Sequence, residues 1–258
     1  MKRVLMLLTL SLSCVAACGQ QRPASFRVLA LYSEDVEHDH VDFAHQAIEF
    51  FTAAAQRDHF EFSATTKWND LNAANLAHYQ LVVWLDDFPH TEMQRRAFEQ
   101  YMRYGGGWLG FHIAAYNDSG TRWPWFREFL GGGVFYSNNW PPLPATLMVD
   151  DASHSVTKGI PETFLSPANE WYTWKPSPRL NKDVKVLVTL SPSNYPLGFK
   201  DVITGGDLPV VWTNTRYRMI YLNMGHGDRV FSSDVQNRLI ENALLWAGGS
   251  GAAAMEKP

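Results

Sequence analysis

Three short apolar runs constrain this chain more than any other feature in it. Residues 26–32 (FRVLALY), 80–85 (QLVVWL) and 108–113 (WLGFHI) have the pattern of strands buried on both faces. After the first run, Val41, Ala44, Ile48 and Phe51 recur at helical spacing from Asp39 onward, and residues 60–66 then alternate as a strand does. After the second, Met93, Ala97 and Tyr101 mark a helix closed by Gly105, Gly106 and Gly107. Strands alternating with helices in this way predict an α/β fold of flavodoxin-like kind, a parallel sheet with helices on both faces.

The second half is less regular, rich in Pro, Trp, Asn and Gly over residues 131–180. Strands are expected again at 145–149, 184–190, 209–213 and 218–223. A last helix follows, capped by Ser233 or Asp234, with Val235, Leu239, Asn242 and Trp246 along one stripe. With 46% hydrophobic residues and no linker between comparable halves, the chain reads as one domain, residues 26–247. Residues 248–258 are small and polar and are expected to form a disordered tail.

The start has the order of an export signal: Lys2 and Arg3, a short apolar stretch, then small residues. The apolar stretch is too short for a transmembrane helix. Val15, Ala16, Ala17 and Cys18 look like a lipobox, which predicts a signal peptide over 1–17, lipidation of Cys18 and a tether over 18–25. An ordinary secretory signal is the alternative. On the lipobox reading the protein is exported and held by its lipid at the outer membrane, or on the periplasmic face, of a two-membrane bacterium. Both cysteines of the chain, Cys14 and Cys18, lie in this leader, so the domain has no disulfide, thiol nucleophile or thiolate metal site. The net charge of −4 comes without basic runs, which argues against a nucleic-acid partner and against any membrane contact other than the lipid. A small, weakly charged ligand is expected.

Ligands of open parallel sheets bind beyond the carboxyl ends of the strands. Here the first strand runs into the segment holding His38 and His40, the third into Asp86 and Asp87, and the fourth into His112. A flavodoxin-like order 2-1-3-4 makes these ends neighbours. Gly110 to Ala114 occupies the strand-to-loop position where hydrolases and class I glutamine amidotransferases carry a Ser or Cys nucleophile, but the middle residue is His112. Acyl-enzyme chemistry is therefore disfavoured.

Five segments occur in the order found in ThuA-like proteins: residues 104–112 (YGGGWLGFH), 129–132 (FLGG), 153–160 (SHSVTKGI), 169–172 (NEWY) and 224–227 (MGHG). The chain resembles that trehalose-utilisation family. The resemblance implies a class I glutamine-amidotransferase-like fold without the amidotransferase cysteine, and a role in catabolism of trehalose and other sugars, often through 3-keto intermediates. It also implies functional roles for His38, His112, Glu170, Tyr172 and His226. The sequence departs from the family where Ser137, Asn138, Asn139, Trp140 and Pro141 replace an expected His-Pro, which leaves the identity of the ligand open.

The expected site therefore has His112, Glu170 and His226 in catalytic roles, with His38, His40, Asp86, Asp87, Asn139, Trp140, Tyr172 and Trp174 binding a sugar. Aromatic residues among Pro, Asn and Gly, Trp171 included, either pack under loops or offer a face to a sugar ring. Two chemistries stay open. His38, His112 and His226 could hold a divalent metal such as zinc, or Glu170 and His112 could act as acid and base on a sugar or keto-sugar without metal. The metal-free version is preferred because no His-Glu-x-x-His helix fixes two ligands together. The competing class is a surface lipoprotein that binds sugar without turnover.

Overall fold

The computed structural model describes residues 25–118 and 120–249. In chain order its strands are β1 Arg27–Leu31, β2 Glu61–Thr65, β3 Leu81–Trp84, β4 Gly107–Phe111, β5 Val134–Ser137, β6 Leu143–Val149, β7 Thr163–Asn169, β8 Thr173–Lys175, β9 Val184–Leu190, β10 Pro209–Asn214 and β11 Arg218–Leu222. The helices are α1 His38–Asp58, α2 Ala73–Leu76, α3 Glu92–Arg103, α4 Pro124–Phe129 and α5 Asp234–Gly248. Nine strands form one sheet in the order β2-β1-β3-β4-β11-β10-β9-β6-β7, and β5 pairs with β8 separately. The first five strands of that order are parallel. The last four are antiparallel to their neighbours. The fold is a mixed α/β sandwich in which the expected parallel sheet is extended by an antiparallel wing.

The apolar runs are explained by burial on both sides. Val28, Ala30, Leu81, Val83, Leu109 and Phe111 pack against α1 and α5 through Phe43, Phe51, Leu239 and Ile240. The alternate residues Leu29, Leu31, Val82, Trp84 and Trp108 pack against α2, α3 and α4 through Leu76, Phe98, Met102, Phe126 and Phe129. The apolar residues of these strands therefore face one apolar layer or the other in alternation.

Two helix stripes differ from expectation. On α3, Met93 is exposed, while Gln94, Phe98 and Met102 are buried. Gln94 goes inward because its side chain completes a capping box with Thr91, so a polar residue occupies the buried face. On α5, Ser233 is the cap, accepting from the Gln236 N–H, and the buried stripe is Gln236, Leu239, Ile240, Ala243 and Ala247. Gln236 is again the polar member, bonding to Ser166 and to the Val230 carbonyl. The helix runs to Gly248 and is capped by Gly249, two residues into the expected tail. The leader with Cys18, and residues 250–258, lie outside the described residues. Among those described, no helix is long and apolar enough to cross a membrane.

Candidate functional site

Four parallel strands, β1, β3, β4 and β11, end at one edge of the sheet. Three successive antiparallel reversals beyond β10 bring the end of β7 round to that same edge. His112 follows β4, His226 follows β11, Glu170 follows β7, and His40 lies in the first turn of α1, reached from β1. The three imidazole rings form a triangle with centroid separations of 5.3 Å for His40 and His112, 5.1 Å for His40 and His226, and 5.5 Å for His112 and His226.

His112 is fully buried and occupies the elbow after β4 at φ +42°, a left-handed conformation uncommon for a residue other than glycine. Its Nδ1 lies 2.8 Å from the carbonyl of Asn223. A carbonyl only accepts, so Nδ1 carries the proton and Nε2 presents a lone pair. That Nε2 has no hydrogen-bond partner and lies 3.7 Å from Glu170 Oε2. The Tyr172 ring packs against the imidazole at a tilt, with centroids 4.0 Å apart. Gly225, at φ +155°, leaves room for the elbow, since a Cβ there would come within 2.6 Å of the His112 Cβ.

His226 points its Nε2 at two carboxylates, Glu37 at 3.3 Å and Glu170 at 3.7 Å, and its Nδ1 at Asp39 at 3.6 Å. The Gly227 N–H donates to the Asp39 carbonyl, which ties this loop to the start of α1. His40 lies 3.5 Å from Glu37 through Nδ1, and its Nε2 is buried without a partner.

Burial dominates the electrostatics. It pushes the His40 imidazole down to about 3, with His112 and His226 adding to the effect. It holds His112 well below the usual imidazole range, again reinforced by His226. The same burial raises Glu170, against the opposing pull of His226, His40, a hydrogen bond with the Asn138 side chain and Lys200. Glu37 is raised as well, by burial first. Two imidazoles are thus kept neutral beside carboxyl groups that hold their protons more tightly than usual.

Several expected site residues lie elsewhere. His38 is on the outside of α1, 86% exposed and beside Asp42. Residues two apart on a helix are turned by roughly 200°, so when His40 faces the cluster His38 must face solvent. The metal set expected with His38 is therefore not assembled. Trp174 is a core residue, edge-on to Trp212 and Tyr221. Trp171 is also buried, its indole N–H donating to the Leu143 carbonyl. Of the three Trp residues only Trp140 offers an open face.

Asn139 is framework. Its oxygen accepts from the Trp171 N–H and its amide donates to the Pro141 carbonyl. Asp86 and Asp87 close the neighbouring end of β3. Asp87 receives the Ser33 hydroxyl and lies 2.8 Å from His90, and Asp86 receives the Ser33 N–H. Buried, Asp86 is pushed up to about 8.

Glu37, Asn138, Asn169, Asn223 and Lys200 were not foreseen. Glu37 directly precedes α1 and Asn223 directly follows β11, positions that a reading of strand ends could have included. Glu37, His40 and His226 offer ligand atoms within 4.8 Å of one another.

The fold is of the glutamine-amidotransferase-like α/β kind, and the elbow after β4 carries histidine. The glutaminase domain of Trypanosoma brucei CTPS shares the fold, with TM-score 0.53, 8% identity, and coverage of 86% of this chain and 93% of that one. The chain belongs to the ThuA family, described as trehalose utilisation, which it matches over residues 27–247. A ThuA-like protein from Bacteroides uniformis is 53% identical, with TM-score 0.86 over 88% of this chain and 92% of that one. Another from Parabacteroides merdae is 17% identical, with TM-score 0.67 over 90% and 92%. Among curated proteins none matches. The family connects the chain to carbohydrate utilisation.

Proposed function

We propose that this protein is an enzyme acting on a sugar or keto-sugar, in which Glu170 carries the proton, His112 is its neutral partner and His226 stands beside them. The carrying observation is the face-off of His112 Nε2 and Glu170 Oε2 at 3.7 Å in a buried site. Both atoms are acceptors once Nδ1 holds the imidazole proton, so the pair calls for a proton or another donor or cation between them. Burial, which raises the Glu170 carboxyl, favours a proton on that side of the pair. Such a pair can give a proton to a leaving oxygen or carbonyl and take one from a hydroxyl or a carbon beside a ketone, which serves hydrolysis, elimination and isomerisation alike.

The test is incubation of the purified protein with a panel of disaccharides and their 3-keto forms, read by mass spectrometry. Turnover that Glu170→Gln abolishes while binding survives supports the enzyme. Saturable binding without turnover in the wild type, unchanged in Glu170→Gln, favours the non-catalytic sugar-binding lipoprotein instead.

A second reading has its own support in the grouping of Glu37, His40 and His226. Buried imidazole nitrogens without hydrogen-bond partners, Nε2 of His40 and Nδ1 of His226, suit a divalent ion such as zinc. His40 and His226 would hold such an ion with Glu37, His112 standing next to them. When bound it would polarise a sugar carbonyl or acidify a water. Calorimetry with zinc on the wild type and on His40→Ala tests this: heat that is absent in both ends the metal reading.

From the sequence we also propose export and anchoring through a lipid on Cys18. Cys18→Ala should release the protein or block its processing. An unprocessed wild type in the cytoplasm would refute the anchor.

A further inference from the structure

His112 and His226 follow different strands, and no hydrogen bond joins their rings. One side chain reaches both. Asn169, the last residue of β7 and 1% exposed, accepts at Oδ1 from the backbone N–H of Gly225 at 3.1 Å and of His226 at 3.0 Å. Its Nδ2 donates to the Asn223 carbonyl at 3.2 Å and to its neighbour Glu170's carbonyl. That Asn223 carbonyl is the one that receives Nδ1–H of His112.

The amide orientation is settled by its surroundings. Two N–H groups face Oδ1 and two carbonyls face Nδ2, so the flipped amide would set donor against donor and acceptor against acceptor. Asn223 is held in turn. Its Oδ1 accepts from the Tyr172 N–H, its Nδ2 donates to the Tyr221 hydroxyl, and that hydroxyl donates to the His112 carbonyl. Every link except the part-buried bond to the Glu170 carbonyl is buried, where a hydrogen bond is strong and its loss is felt by the next member.

We infer that Asn169 is the positioning residue that sets His112 and His226 together. Its donor half fixes the tautomer of His112 through the Asn223 carbonyl, and its acceptor half fixes the loop that carries His226. The inference rests on reading His112, His226 and Glu170 as one site, but it concerns their placement and not the reaction. It gives a physical role to the amide: an ionised carboxylate of the same shape could accept from Gly225 and His226 but could not donate to Asn223.

The test is nitrogen-resolved NMR of the histidine rings and of the His226 backbone amide in the purified full chain, recorded at alkaline pH so that an introduced carboxyl is ionised. Asn169→Asp keeps the acceptor half and removes the donor half. Asn169→Leu removes both. Asn214→Leu is the control: Asn214 is equally buried and donates to the Glu128 and Phe129 carbonyls, at the opposite edge of the sheet.

In the wild type His112 should be a single Nδ1–H tautomer. In Asn169→Asp the tautomer ratio should move by roughly tenfold, as for one buried hydrogen bond, while the His226 amide stays in place. In Asn169→Leu both should move. A His112 that keeps its tautomer in Asn169→Asp overturns the inference, as does an equal shift in Asn214→Leu. Should Asn169→Leu fail to fold, the near-isosteric Asn169→Asp decides alone. No step depends on turnover, so a failure of the sugar-processing reading would leave this result standing.

Discussion

Nε2 of His112 and Oε2 of Glu170 face each other at 3.7 Å, the imidazole lone pair turned to the carboxyl by the bond from Nδ1 to the Asn223 carbonyl. The contact joins a residue after β4 to a residue after β7, across the whole antiparallel wing of the sheet.

Glu170→Gln keeps the size of the side chain and removes the exchangeable proton. Turnover of a sugar substrate should fall by about 10²–10⁴-fold, the usual contribution of one positioned acid or base, while sugar affinity changes little. Steady-state kinetics with direct binding checks the split. Equal loss of both would assign Glu170 to binding alone.

Gly225→Ala should displace the elbow. The new Cβ would sit 2.6 Å from the His112 Cβ and 3.3 Å from that of Phe111, and the backbone there is at φ +155°. Overpacking of this kind costs about 1–3 kcal/mol, measurable by denaturant unfolding. A variant as stable as the wild type would mean that the elbow is less tightly held than the geometry indicates.

Asp86 predicts a pH dependence. Its carboxyl is pushed up to about 8 by burial, and its Oδ2 has no partner among the described residues. Between the ordinary carboxylate range and about 8 the unfolded chain has lost this proton and the folded chain keeps it. The folded state then binds more protons, so this group's contribution to stability declines as pH rises through that window. Asp86→Asn removes the titration. Thermal unfolding from pH 5 to 8 should show a flatter decline in the variant and greater stability than wild type at pH 8; parallel curves would exclude a protonated Asp86.

The tryptophans should separate by role. Trp174→Ala empties a core position and should cost about 3–5 kcal/mol of stability. Trp140→Ala, at a partly open ring on the segment next to Asn138, should leave stability nearly intact and weaken sugar binding by about 1–3 kcal/mol. Unchanged sugar affinity in Trp140→Ala would remove it from the binding surface.

Much of this was written in local sequence. Runs such as LVVW, short, rich in β-branched residues and apolar at every position, have the pattern of strands covered on both faces, and their alternation with helices sets the parallel half of the sheet. Once those strands are parallel, their ends share an edge, which is why His112, His226 and the segment holding His40 could be placed together from the chain alone. The absence of cysteine beyond residue 18 is equally a property of sequence.

Tertiary structure decided what depends on phase and on distant partners. The turn of α1 selected His40 over His38, because only one of two residues spaced two apart can face the sheet. β7, a strand with Pro167 in it and a mixed pattern of burial, is recognisable only through its pairing with β6, and that pairing carries Asn169 and Glu170 to the histidines. Burial of Trp174 against Trp212 and Tyr221 follows from the packing of β8 and α4 over the same face, which no local pattern records. Spacing along a chain determines which residues can share an element, whereas the desolvation and hydrogen bonds that make a site exist only after distant elements have met.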